Sequence, residues 1–174
     1  MRYRNYLIPA IIGVIIIPFL IGCEAPNDDA RFEEEMRERF QDSREIWNEG
    51  NLDMVEELYA PDAVRHHVDI EESVVGVEAL KEYITGLRTA YPDFTVEGEI
   101  VVARDGWSVS QWTVTGTNTG PTEELPPTGR EIQISGATIS QVVDGKTVEE
   151  WVYYNEAAVL EQLGFSFVPP EIEG

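Results

Sequence analysis

The stretch REIQISGATISQVVDGKTVEEWVYYN, Arg130 to Asn155, decides the fold. Strand-forming residues flank Asp144-Gly145, and an Asp-Gly pair in that setting is the strongest short-range signal for a tight β-hairpin. A second stretch, TVEGEIVVARDGWSVSQWTVTGTNTG from Thr95 to Gly120, has the same design about Asp105-Gly106. Two hairpins in succession predict an antiparallel sheet.

The period is helical on either side of these strands. Phe32, Met36, Phe40 and Trp47, with Ile46 beside Trp47, mark a first helix that Gly50 stops. Asp53 and Glu56 give a capping-box-like start to a short second helix ending near Tyr59, and Leu80, Ile84, Leu87 and Tyr91 mark a third. A strand around AVRHHV, Ala63 to Val68, falls between the second and third helices. After the hairpins, Asn155 caps a closing helix, and Pro169 and Pro170 prevent its extension. Three helices, a sheet and a closing helix make an α+β domain over residues 31–164, with 165–174 as a tail. No internal repeat is present.

Period two sorts the hairpin residues into faces. A simple two-residue turn at Asp144-Gly145 sets Thr138 opposite Trp151 and Gly136 opposite Tyr153. One face then collects Ile134, Gly136, Thr138, Ser140, Glu149, Trp151, Tyr153 and Asn155. The other holds Gln133, Ser135, Ile139, Gln141, Glu150 and Tyr154. The same rule about Asp105-Gly106 groups Val101, Ala103, Ser110, Trp112, Val114, Gly116 and Asn118. Aromatic walls with a few small polar groups suit a ligand pocket. They equally suit a sheet face packed against helices, in which Trp and Tyr find polar partners within the protein.

The chain has 174 residues, 43% of them hydrophobic, enough for one domain behind a leader. Its 33 acidic residues against 12 basic ones give a net charge of -21 and a pI near 4.2, which excludes nucleic acid and a basic membrane-binding patch. Residues 1–22 carry Arg2 and Arg4, then an apolar run from Leu7 to Gly22, as an export signal does. The alternative is a transmembrane anchor, although the run falls short of the ~20 residues a span needs and contains Pro9 and Pro18. Leu20-Ile21-Gly22-Cys23 resembles a bacterial lipoprotein lipobox, which implies cleavage before Cys23 and lipidation of its thiol. Cys23 is the only cysteine, so no intramolecular disulfide forms. Residues 23–30 read as a tether, and the acyl chains would hold the protein to the cell envelope.

Together GNLDMVEELYAPDAVRHH, GVEALKEYITGLRTAYPDF, WTVTGTNTG, LPPTGREI and DGKTVEEWVYYNEAAVLEQLG resemble the SnoaL-like polyketide cyclase or ester cyclase family. The resemblance runs over about residues 31–164. It implies a nuclear transport factor 2-like cone, with helices on a curved antiparallel sheet enclosing a pocket. It also implies cyclase or isomerase chemistry on a small, largely apolar carbonyl or ester compound, without metal or organic cofactor.

In such cyclases a carboxylate and a histidine serve as acid and base; the matching positions here are Thr138 and Asn118, neither of which titrates near neutral pH. His66 and Glu149 are the remaining catalytic candidates. Trp112, Asn118, Thr138, Trp151, Tyr153 and Asn155 are candidate ligand contacts, and PTEELPPTGR, Pro121 to Arg130, resembles the rim loop. His66 could instead bridge backbone groups, and Glu149 could pair with Arg130 or Lys146. Period two turns His67 away from His66, which argues against a two-histidine metal site. Two further readings remain: a non-catalytic receptacle for a hydrophobic molecule, and a homodimer through the outer sheet face, by residues such as Gln141, Glu150 and Tyr154.

Overall fold

A computed structural model describes residues 28–67, 72–122 and 126–168. The leader, Cys23 and residues 24–27 of the tether lie outside the described residues, as do 169–174 of the tail. Helix α1, Asp28–Arg44, begins inside the stretch read as tether, with Asp28 and Asp29 in its first turn complementing the helix dipole.

A single π-helical turn, Glu45–Glu49, follows α1 and ends at Gly50, whose left-handed φ of 75° lets the chain reverse. This wider turn lets neighbouring residues serve different surfaces. Ile46 is fully buried in the core, whereas Trp47 lines a cavity. Arg88 holds the turn by donating to the carbonyls of Trp47 and Asn48 at 2.8 and 2.7 Å. Asn48 binds both backbone groups of Val96, tying the turn to the sheet.

Helix α2 spans Asp53–Leu58 and α3 spans Val77–Ala90. The expected cap at Asp53 does not form: the entry residue is Leu52, and no side chain caps it. Ile46, Val55 and Ile84 are completely buried together, each contributing about 1.5–3 kcal/mol by leaving water. Helix α4, Glu156–Leu163, is capped as expected, with Asn155 Oδ1 accepting from the Ala158 N–H at 3.1 Å.

The strands are β1 Tyr59–His67, β2 Val74–Val75, β3 Thr95–Arg104, β4 Trp107–Thr117, β5 Glu131–Val143 and β6 Lys146–Tyr154. They form one sheet in the order β2-β1-β6-β5-β4-β3, antiparallel except where β1 runs alongside β6. Helices and sheet together make the α+β, nuclear transport factor 2-like architecture. Both Asp-Gly pairs make the expected turns, with positive φ at each central residue.

Each hairpin also contains an irregularity that the simple turn rule misses. In β6 the register slips between Gln141 and Val142 of its partner strand, leaving Val148 as the extra residue. In β3 it slips between Ile100 and Val102, leaving Val101 extra. One inserted residue moves every later side chain to the opposite face. Thr138 therefore faces Val152 rather than Trp151, and Gly136 faces Tyr154 rather than Tyr153. Likewise Ile100, not Val101, points into the core, and Val101 is exposed.

Candidate functional site

The helices and the inner sheet face enclose a cavity of about 390 Å³, within the range of small-molecule sites. Its helical side is apolar and aromatic, including Phe40, Trp47, Leu87 and Leu160. Its floor is built from rows that cross the strands. Ser108, Ser140, Glu150 and Arg65 make one row, and Ser110, Thr138, Val152 and His67 make the next. Trp112, Gly136 and Tyr154 make a third. Gly136 carries no side chain because the Trp112 ring leans over it: a Cβ there would lie 2.4 Å from that ring.

The charged end of the floor is closely paired. Arg65 Nη1 donates to Glu150 Oε1 at 2.5 Å, with both side chains nearly excluded from water. The guanidinium also lies over the rings of Trp47 and Tyr83, at 4.7 and 5.7 Å from their centroids. Burial alone would push Arg65 down, but Glu150 with Tyr83 and Tyr59 holds it up, so the cation persists. Burial, reinforced by Glu150, raises the Tyr59 phenol. Burial likewise raises Tyr83 despite the nearby Arg65, so both phenols stay protonated.

His67 is buried in this wall between Tyr83 and Tyr154. Burial, with the Arg65 charge beside it, pulls its pKa down to about 4, so the ring is neutral near pH 7. Arg65 Nε donates to His67 Nε2 at 3.4 Å, and His67 Nδ1 is buried without a hydrogen-bond partner among the described residues.

The residues singled out from sequence divide into three groups. Trp112 and Thr138 line the cavity and bond to each other, Nε1 to Oγ1 at 2.9 Å. Asn118 is fully buried but outside the cavity. Its amide donates to the carbonyls of Ala90 and Gly120, and its oxygen accepts from the Thr128 N–H and hydroxyl. It ties the end of β4 to Thr128 of the rim loop, and Thr122 of that loop reaches the cavity lining.

His66, Glu149, Trp151 and Tyr153 occupy the outer sheet face, which corrects the face assignment for the β6 residues. His66 Nε2 and Glu149 Oε1 are 2.8 Å apart, and His66 Nδ1 is 2.8 Å from Ser73 Oγ. His66 stacks on Trp151, which stacks on Trp107. Asn155 is used as a helix cap. The cavity instead receives Arg65, His67, Glu150 and Tyr154, four residues that the simple hairpin register turned outward or left unassigned. Strand alternation did separate His67 from His66. Nothing in that alternation says which of the two enters the cavity. Among the described residues, no group of three His, Cys, Asp or Glu side chains is placed to hold a metal ion.

The family model for SnoaL-like polyketide cyclases matches residues 34–163. The chain belongs to the SnoaL-like polyketide cyclase family. No curated protein matches this SnoaL-like chain. A protein from Jannaschia sp. CCS1, described as a SnoaL-like polyketide cyclase, superposes with a TM-score of 0.71 at 23% identity, over 83% of this chain and all of that one. AclR from Streptomyces galilaeus, described as a hydroxylase, is 27% identical with a TM-score of 0.66, over 79% of this chain and 86% of that one. IdmH from Streptomyces antibioticus, described as a polyketide cyclase, is 26% identical with a TM-score of 0.62, over 74% and 97%. One SnoaL-like scaffold thus serves proteins described by different reactions, and activity must be argued from the cavity.

Proposed function

We propose that this SnoaL-like protein binds a small, largely apolar carbonyl or ester compound in its cavity and converts it by acid/base chemistry of cyclase or isomerase type. The observation that supports this is the cavity itself, with an aromatic roof and a floor of hydroxyls ending in His67 and the Arg65–Glu150 pair. Apolar walls supply affinity, the floor hydroxyls stabilise the enolate that forms when an adjacent C–H is deprotonated, and the Glu150 carboxylate, a lining anion, takes up that proton. The test is native mass spectrometry of the full-length protein for a copurified compound, followed by turnover assays on it. A bound neutral carbonyl compound that is converted supports the proposal; a cavity that takes up none of a panel of ketones and esters refutes it.

A non-catalytic receptacle is the second reading. It is favoured by Thr138 and Asn118 standing where the family's titrating groups are expected, and by the engagement of Glu150 with Arg65. Binding without turnover of the copurified compound distinguishes it.

Two further parts of the proposal concern location and assembly. Lipidation at Cys23 would anchor the protein at the bacterial cell envelope. Cys23→Ala should then abolish fatty-acid labelling and release the protein from membranes, and unchanged labelling would refute it. The outer sheet face, where Trp107, Tyr153 and Val143 are each more than two-fifths exposed, suits a homodimer. Sedimentation as a monomer at high concentration would count against that.

A further inference from the structure

His66 and Glu149 stand away from the cavity, and Ser73 joins them at the β2 edge of the outer face. Val64 and Arg65 of β1 pair with Val75 and Val74 of β2, and continuing that antiparallel register sets Ser73 directly opposite His66. Directly opposed side chains share a face, so the Ser73 hydroxyl meets His66 Nδ1 at 2.8 Å. On the other flank of β1, His66 is the register partner of Trp151, and Glu149, two residues earlier in β6, lies on the same face. Its Oε1 is 2.8 Å from His66 Nε2. Trp151 stacks on the imidazole at 5.3 Å with 20° between the planes, which fixes the orientation of the ring.

The chemistry of the partners places the protons. A carboxylate only accepts, so His66 Nε2 carries the hydrogen given to Glu149, and Nδ1 keeps a lone pair that accepts from the Ser73 O–H. A serine bonded to a histidine that a carboxylate in turn orients is the arrangement that activates a nucleophile. Ser73 is exposed, and the His66 and Glu149 side chains are 29% and 37% exposed, so a small molecule reaches all three. The Gly76 N–H bonds to the Ala63 carbonyl, and the alternation of the ladder then turns the Ser73 N–H towards the free edge of the sheet. There it can donate to an oxyanion formed at that serine.

We propose that Ser73, His66 and Glu149 form a second site, on the outer face, that hydrolyses short-chain acyl esters. Ser73 Oγ bonds to the ester carbonyl carbon while its proton passes to His66 Nδ1. The bond from that carbon to the alcohol oxygen breaks, and the alcohol leaves with the proton. Water then attacks the acyl-serine and gives a proton to His66, which returns it to Ser73 Oγ as the carboxylic acid departs. Glu149 is the positioning residue: it holds the Nε2–H tautomer and balances the imidazolium. So exposed a site buries little of a long chain, which is why short acyl groups suit it.

Labelling of the full chain in detergent micelles with a fluorophosphonate, which phosphonylates activated serines, tests the nucleophile. Ser135 is the internal standard, an exposed serine of the same face whose hydroxyl bonds to Thr113 and not to a histidine. Peptide mass spectrometry should show Ser73 reacting at least about a hundredfold faster than Ser135, and His66→Gln should remove that advantage. Cleavage of p-nitrophenyl acetate should begin with a burst that Ser73→Ala abolishes. Imidazole nitrogen NMR reads the role of Glu149: His66 should be the Nε2–H tautomer in the unaltered protein and a mixture in Glu149→Leu. Equal labelling of Ser73 and Ser135, an advantage that survives His66→Gln, or an Nδ1–H tautomer overturns the proposal, and none of these bears on what the cavity binds. If a variant does not fold, the labelling ratio and the tautomer of the unaltered protein decide.

Discussion

Arg65 on β1 and Glu150 on β6 are register partners in the parallel strand pair, and their side chains meet on the cavity floor at 2.5 Å. The bulge at Val148 creates this meeting. Without the extra residue, Glu150 would face outward and Arg65 would be a buried charge with no counter-ion.

Removing one partner is therefore expected to be far worse than removing both. Glu150→Ala should destabilise the fold by about 3–5 kcal/mol, whereas Arg65→Met with Glu150→Leu should return most of that loss. Urea unfolding of the two variants measures the difference. Equal destabilisation by the single and the double change would show that the pair is not a coupled unit.

Stability should also vary with pH through His67. Its folded pKa of about 4 lies below its ordinary 6.5, so the unfolded chain binds a proton more readily than the native one. The contribution is fully present above pH 6.5 and is lost as pH falls towards 4. The loss amounts to up to about 3 kcal/mol, and His67→Phe should flatten the profile across that window. Arg65, itself paired with Glu150, lies against the ring with Tyr83 and Tyr154, and burial keeps the Tyr83 phenol protonated throughout this range. Thermal denaturation from pH 4 to 7 reads the slope.

Asn118 is expected to act on stability and not on ligand affinity. Asn118→Ala leaves the Gly120 carbonyl and two Thr128 donors without their Asn118 partner, while the Ala90 carbonyl keeps the N–H groups of Thr119 and Gly120, for a loss of about 3 kcal/mol. Calorimetric titration with 2-acetylnaphthalene at low temperature should show an affinity within about twofold of the unaltered protein. A large fall in affinity with unchanged stability would restore Asn118 as a ligand contact.

Gly136→Ala should disturb the cavity floor. The new Cβ would lie 2.4 Å from Trp112 and 2.5 Å from the Tyr153 carbonyl, so the indole must move off its bond to Thr138. Overpacking of this kind costs about 1–3 kcal/mol. The Trp112 Nε1–H resonance should shift; an unchanged resonance would contradict the contact.

Local chemistry made the architecture readable from the chain. Asp-Gly pairs accept positive φ, so both hairpin turns could be located to the residue. The spacing of Met36, Leu80 and Ile84 identified buried helix faces, because a helical stripe must be covered whatever covers it. Asn155 disclosed its cap by position alone.

The candidate site was read less well, because it depends on which side of the sheet each residue reaches. Trp112 and Thr138 were placed correctly because they lie in β4 and β5, on the unshifted side of each irregularity. Glu149, Trp151 and Tyr153 were not, since Val148 displaces everything after it in β6. Nothing local to GKTVEEWVYY marks Val148 as the extra residue.

Sequence alone was enough for the helices, the two turns and the acidic surface, which follow from contacts between near neighbours or from composition, and the cone came from the resemblance to the family. Packing settled that His67 rather than His66 faces the cavity, that Glu150 answers Arg65, and that Asn118 braces a loop. Those outcomes depend on a one-residue slip between strands and on partners from 10 to 85 positions away, and a long-range register is chosen by the burial of the whole sheet at once.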